Sequence, residues 1–240
     1  MKMHVERDQQ FGKIVTVDGN DVYRAYNADL KEYRVESGKL TVDYQQRIGR
    51  SGFLLFNNDS DPKILTMAFY VGGEDDDEAQ INAARLTQSC ARECVIRIGS
   101  SRFEYAALLS GSPTVEDTGV RCYLLVTLTL YAVRRLPLVS LDFNADTIRL
   151  TNPGTAASGL RIILTPTQKI TSMQVGDITV KDLAAGVPFV IDGLSGTVTA
   201  DGENRFADTD LTDFPRIDPG DNEIILSQAV PTTIEYYPTF

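Results

Sequence analysis

Apolar residues in this chain recur mostly at every second position, the spacing of strands, and only once at the spacing of a helix. Residues 11–17, FGKIVTV, alternate and predict a strand closed by Asp18, Gly19 and Asn20. Residues 30–35 and 40–44 predict a hairpin turning about Glu36, Ser37 and Gly38. Residues 64–71, ILTMAFYV, predict a buried strand that Gly72 and Gly73 stop. The helix is expected over residues 76–92. Ala79, Ala83, Leu86 and Cys90 make its inward stripe, with Ile81 and Ala84 beside it. Asp75, Asp76, Asp77 and Glu78 sit at its start, where the N-terminus carries partial positive charge. Strands at 95–98 and 103–109 follow, then a long β-rich run at 120–133, VRCYLLVTLTLYAV.

Beyond residue 138 only strand and turn patterns remain. Candidate strands lie at 139–143, 147–151, 160–165, 172–175, 178–180, 187–191, 197–200, 223–227 and 233–237. Turn signals separate them: Asn152-Pro153-Gly154, Asp192-Gly193 and Asp201-Gly202. Short strands at this spacing predict a jelly-roll type β-sandwich. The character of the chain changes near Pro137. Tyrosines at 23 through 131 are followed by none until 236, and eight of the ten prolines and none of the three cysteines lie from 137 onward. A boundary is therefore expected at about 136–140, dividing the chain into residues 1–137 and 138–240. The expected fold is mainly β: a β-rich α+β N-terminal domain with one helix, then a jelly-roll type β-sandwich.

Charge and cysteine content narrow the function classes. Formal net charge is −10, with 14 acidic against 6 basic residues after Leu138 and 19 against 17 before it. An acidic surface without a basic cluster repels phosphate backbones, so specific nucleic-acid binding is not expected. No apolar run reaches the roughly 20 residues that span a bilayer, and MKMHVERDQQ has no signal-peptide core, so the product is expected to stay in the cytosol where it is made. Three cysteines, Cys90, Cys94 and Cys122, are an odd set in a long chain and argue against a disulfide framework. They read as small buried thiols; a metal site would need further ligands, and His4 is the only histidine.

The same scarcity bears on catalysis. Ser-His-Asp or Cys-His chemistry needs a histidine base, and His4 lies at a terminus expected to fray. No P-loop, dinucleotide fingerprint or nucleophile elbow is present. The cluster Asp201, Glu203, Asp208, Asp210 and Asp213 is the best candidate for paired-carboxylate hydrolysis or calcium binding. Its spacing matches no EF-hand and no Trp is present to stack on sugar, so it reads as a solvated loop. The run at 75–78 reads as helix capping. No catalytic, cofactor-binding or metal residue is expected, and no enzyme.

The closing segment is the most distinctive. FPRIDPGDNEII, residues 214–225, reads as a loop delivering the chain into a strand. Pro215 and Pro219 fix φ, and Pro219-Gly220-Asp221 is turn chemistry. Ile224, Ile225 and Leu226 then read as a buried strand, and Ile234 to Tyr237 as a terminal strand stopped by Pro238. This Pro-Gly-x-Asn turn with its closing strand, together with PFVIDGLSGTVTADGENR at 188–205, resembles the C-terminal half of siphophage distal tail (Dit) proteins, components of the tail-tip hub. The order of long strand, acidic-capped helix and further strands before residue 137 resembles the family's ring-forming domain more loosely.

The resemblance implies a structural protein of the virion tail tip, made and assembled in the host bacterial cytoplasm. Residues 1–137 would form a homo-hexameric ring and residues 138–240 a galectin-like or carbohydrate-binding-module-like sandwich. The hub would join the tail tube protein to the tail-associated lysin or fibre hub protein and could carry receptor-binding proteins, with DNA passing through its lumen. Candidate ring contacts are the hairpin around Gly38 and the helix at 76–92. The alternative is a carbohydrate-binding β-sandwich module on an oligomerising domain; a third reading is another baseplate or minor tail component. Unlike members with added adhesion modules, this C-terminal domain carries no long insertion.

Overall fold

The computed structural model describes residues 13–37, 40–46, 53–60 and 62–240. The chain divides into two compact units, Met1–Arg134 and Arg135–Phe240. The fold is mainly β, as expected.

The described part of the first unit is a large antiparallel sheet with α2 on one face, and a separate two-stranded ribbon. Its elements are β1 (Val15–Val17), β2 (Asn20–Asp21), α1 (Val22–Tyr26), β3 (Ala28–Glu36), β4 (Leu40–Gln46), β5 (Phe53–Ser60), β6 (Lys63–Gly72), α2 (Asp76–Ser89), β7 (Cys94–Ile98), β8 (Glu104–Leu109), β9 (Thr114–Asp117) and β10 (Tyr123–Arg135). The sheet order is β2-β1-β7-β8-β10-β6-β3, with β9 paired beside β10. Long β6 and β10 run antiparallel from Tyr123 opposite Gly72 to Ala132 opposite Lys63. Period-two alternation puts Leu65, Met67, Phe69 and Val71 of β6, and Val126, Leu128 and Leu130 of β10, into one core. Ala83 and Leu86 of α2 close that core from above.

The expected hairpin of 30–35 with 40–44 does not form. β3 pairs with β6 instead, while β4 pairs with β5 as a separate ribbon. Local turn chemistry lost to a longer ladder that buries Leu30 against the core. Its centre, Gly38, lies outside the described residues, as do Phe11 and Gly12 at the start of the first expected strand.

Helix α2 also differs from expectation at both its face and its end. Asn82 turns inward and donates to the carbonyl of Gly72 at 3.0 Å, while Ile81 and Ala84 are exposed. The helix stops at Ser89 rather than Arg92, because the carbonyl of Cys90 accepts from the Leu109 amide. Gly73 is required at the turn into α2: a Cβ there would lie 2.3 Å from the Ala79 amide nitrogen.

The second unit is a two-layered sandwich. Its elements are β11 (Val139–Phe143), β12 (Thr147–Asn152), β13 (Ser158–Leu164), β14 (Ile170–Val175), β15 (Ile178–Leu183), β16 (Phe189–Asp192), β17 (Thr197–Ala200), β18 (Glu203–Asn204), a short 3₁₀ turn at Phe206–Asp208, β19 (Arg216–Ile217), β20 (Gly220–Ile225) and β21 (Thr232–Tyr236). One layer has the order β11-β21-β13-β16-β17-β18. The other holds the pairs β12-β20 and β14-β15, linked where Val175 bridges Leu226. Between them lie Ile148, Leu160, Ile162, Leu164, Met173, Val180, Phe189, Ile191 and Ile234. β13 shows the pattern plainly, buried at every second residue from Ser158 to Leu164.

The closing turn explains the Pro-Gly-x-Asn sequence. Gly220 adopts φ +88, and Asn222 binds across the turn, donating to the carbonyls of Asp218 and Gly220 at 2.8 Å and accepting from the Asp218 amide at 3.1 Å. The strand that follows is less buried than expected: Ile225 is 59% exposed, and Leu226 carries the burial.

Candidate functional site

Among the described residues neither of the acidic clusters singled out in the sequence converges on a site. Asp75 caps α2, accepting from the Glu78 amide at 2.7 Å, and Glu78 in turn accepts from the Glu74 amide. Asp76 accepts from the Cys122 amide at 2.8 Å, tying the turn before β10 to the helix start. These carboxylates hold backbone in place, which is the capping role expected.

The acidic loop is dispersed in the same way. Asp208 is paired with Arg205. Asp210 accepts from the Thr179 amide, and its hydrogen bonds with Thr179 hold its carboxyl below the usual range. Asp201 occupies a left-handed turn position at φ +51. Among the described residues no group of three or more His, Cys, Asp or Glu side chains is placed to hold a metal ion. His4 lies outside them.

A charge network that sequence reading missed lies in the sandwich. Arg161, on β13, reaches Asp192 on one neighbouring strand at 2.8 Å and Glu235 on the other at 3.0 Å. Asp192 also accepts from the amides of Leu194 and Ser195. Burial pulls Asp192 upward, but Arg161 and those donors outweigh it and hold the carboxyl below its ordinary range. The only hint in sequence was a charged residue inside the alternating run SGLRIIL. All three groups satisfy one another, so the network stitches strands together and leaves nothing free for catalysis.

What the geometry offers is surface. Among the described residues, nothing covers the face of the first sheet opposite α2. Cross-strand neighbours share a face, so Leu125 lies beside Tyr70 and Tyr131 beside Ile64. Tyr70, Tyr131, Val133 and Leu108 are 42 to 49% exposed there. Thr66, Thr127 and Thr129 lie on the same face, and the edge strand β3 rims it with Lys31, Glu32, Arg34 and Glu36. Charges on an edge strand discourage indiscriminate pairing. The alternation in VTLTLYAV carries this face, with Thr127, Thr129 and Tyr131 outward and Val126, Leu128 and Leu130 inward.

A shallow, open groove of about 570 Å³ on the sandwich is lined by Arg149, Leu150, Thr151, Asp221, Asn222 and Glu223. Its polar groups are engaged with each other: Arg149 with Glu223 at 3.0 Å, and Thr151 with Asp221 at 2.7 Å. No helix among the described residues is long and apolar enough to cross a membrane.

Comparison with known proteins bears on this arrangement. Residues 153–240 match the family model for the siphovirus-type tail component, C-terminal domain. Among solved structures, the chain is similar to the Dit (gp 19.1) protein of phage SPP1, described as a paradigm of the hub of the adsorption apparatus in phages infecting Gram-positive bacteria. The TM-score is 0.71 at 17% identity, covering 95% of this chain and 99% of that one. It is also similar to chains of the phage p2 baseplate in its activated conformation, with strontium at TM-score 0.52 and 12% identity, and with calcium at 0.54 and 11%. These cover 93% and 94% of this chain and 97% of each of those. No curated protein matches the sequence. Residues 153–240 thus match the siphovirus-type tail component, C-terminal domain, within a chain that shares the fold of the SPP1 Dit protein along nearly its whole length.

Proposed function

We propose that this protein is a structural hub component of a phage tail tip. The observation that carries the reading is the joint one: a tail-component domain at 153–240 within a chain that shares 95% of its length with the SPP1 hub fold. The uncovered sheet face of the first unit supports it, since an apolar and threonine-rich face on long strands is a surface built to be covered. A closed ring of identical subunits covers such a face on every copy.

In this reading residues 1–137 assemble six copies into a ring, and residues 138–240 form the outward sandwich. The ring joins the tail tube protein to the tail-associated lysin or fibre hub protein below, and DNA passes through its lumen. The sandwich serves as an attachment platform for receptor-binding proteins. The work is assembly and transmission, with no chemical step; of the carboxylates that might have supplied one, Asp75, Asp76 and Asp210 hold backbone amides and Asp208 pairs with Arg205. The polar groove beside Arg149 and Glu223 is where the alternative, sugar binding, would act.

The test is the mass of the purified protein by light scattering behind a sizing column, over a range of concentrations, with electron micrographs of the peak. A discrete species near six times 26.4 kDa, appearing as rings, is expected. A monomer at every concentration that gives a hit on a glycan array would overturn the hub reading in favour of the binding module.

A further inference from the structure

Two of the three cysteines meet where helix gives way to sheet. Cys90 caps α2 and Cys94 opens β7, and they are 0% and 2% exposed. The backbone sets their separation. Cys94 is the ladder partner of Ala107. An unbroken β7 would bring Arg92 opposite Leu109, two positions along. Instead the Leu109 amide donates to the carbonyl of Cys90 at 3.0 Å, and residues 91–93 loop outward as an exposed bend. Cys90 therefore stands where Arg92 would be, two strand steps from Cys94. At about 3.3 Å per step, the two Cα atoms lie about 6 to 7 Å apart. Disulfides accept Cα separations of roughly 4.4 to 6.8 Å.

The side chains agree with the backbone. Both thiols are part of one core, alongside Leu86, Ile96 and Ala107. Cys94 Sγ donates to the Ala107 carbonyl at 3.5 Å, so the reduced pair is satisfied without a metal. The influence of the two thiols on one another holds Cys90 below the ordinary thiol range and, together with burial, pushes Cys94 above it. Cys122 is placed elsewhere, against the carbonyl of Glu74 at 3.6 Å.

We propose that Cys90 and Cys94 are a redox-closable pair: a dithiol in reducing surroundings that becomes an intramolecular disulfide on meeting an organic disulfide oxidant, fastening the end of α2 to β7. The exchange balances. The Cys90 thiolate attacks one sulfur of the oxidant and releases one small thiol. The Cys94 sulfur, losing its proton, then displaces the second. One organic disulfide is reduced to two thiols as two protein thiols are oxidised to one S–S bond. Opening of the exposed bend at 91–93 admits the oxidant. The closed loop spans only residues 90–94, so the stabilisation is modest. The pair does not depend on the hub reading. If that reading holds, a particle leaving the host's reducing cytosol crosses the change of surroundings that closes it.

The experiment uses the full chain and oxidised glutathione, on the native protein and during refolding from urea. Trypsin cuts after Arg92, between the two cysteines. Closure therefore leaves peptides 86–92 and 93–97 joined, with intact mass lower by two hydrogen atoms and Cys122 still open to alkylation. The joined form is expected from both routes, with Tm higher than the reduced form by a few degrees. Cys90→Ala and Cys94→Ala should each lose the joined peptides and the Tm difference while keeping the fold, read by circular dichroism. Joined peptides from neither route, or a joined form that melts below the reduced one, would overturn the proposal.

Discussion

The two units solve the same problem, burying a β-rich chain, in opposite ways. The second encloses its core between two layers and stitches the outer face of the larger one with Arg161, Asp192 and Glu235. Among the described residues, the first covers only one face of its sheet and leaves the other, apolar and threonine-rich, open. Among the described residues, nine of the thirteen large hydrophobic side chains that remain exposed belong to the first unit. The difference teaches where each unit's stability is completed. The sandwich is finished within one chain; in the proposed ring, the open face of the sheet is where a neighbour would pack.

The comparison breaks most sharply at Gly193. A Cβ there would lie 2.2 Å from the carbonyl oxygen of Pro215 and 2.8 Å from that of Leu160, both backbone atoms that cannot step aside. Gly193→Val is expected to cost about 3 kcal/mol or more and to open the sandwich alone. Hydrogen exchange should show protection lost over 139–240 and kept over 63–134.

Asp192→Asn tests the stitching. Losing the charge that faces Arg161 should cost about 2 kcal/mol, seen as a lower urea midpoint for the sandwich. The sign with pH follows from the depressed carboxyl. Its contribution is full above the unfolded value near 3.8 and lost as pH falls through the lower folded value. The wild-type midpoint should therefore drop below about pH 4, and less steeply in the variant.

In the first unit, Asp75→Ala removes a helix cap and should cost about 1 kcal/mol, read as a lower melting temperature. Tyr131→Lys should move monomer stability by no more than about 0.5 kcal/mol, because the ring is already half in water. Its effect should appear in the light-scattering mass, where association weakens. An unchanged assembly would mean that neighbours use another surface.

How much of this was legible in sequence follows the range of the interactions involved. The strands at 139–143 and 197–200 were read to the residue, because turn residues bracket short alternating runs. The inward stripe Ala79, Ala83 and Leu86 was legible for the same reason. Helix α1 was not: five residues are too few to show a period, and its signal lies in Asp21 accepting from the Tyr23 amide and Asn27 in the left-handed region. The partner of β3 was misread because a nearby strand looks like a hairpin mate until the longer ladder with β6 is seen. Arg161 was missed because its two partners lie 31 and 74 residues away in sequence. The open sheet face was half legible: alternation in β10 separates two faces, but only the fold tells which one the helix covers.

The register of β11 against β21 has a consequence in time as well as space. Val139 pairs with Tyr236, and β21 lies between β11 and β13 in the layer. During synthesis β11 emerges directly after β10 and then waits while nearly a hundred residues follow before its partner is made. The ladders of the first unit are complete by then. The sandwich is thus the half whose layer closes last during synthesis, since its interior strand β21 is the last to be made. Until β21 arrives, the nascent chain carries an unpaired edge with Leu141 exposed on it, and that interval is when the growing molecule is most open to mispairing with another copy.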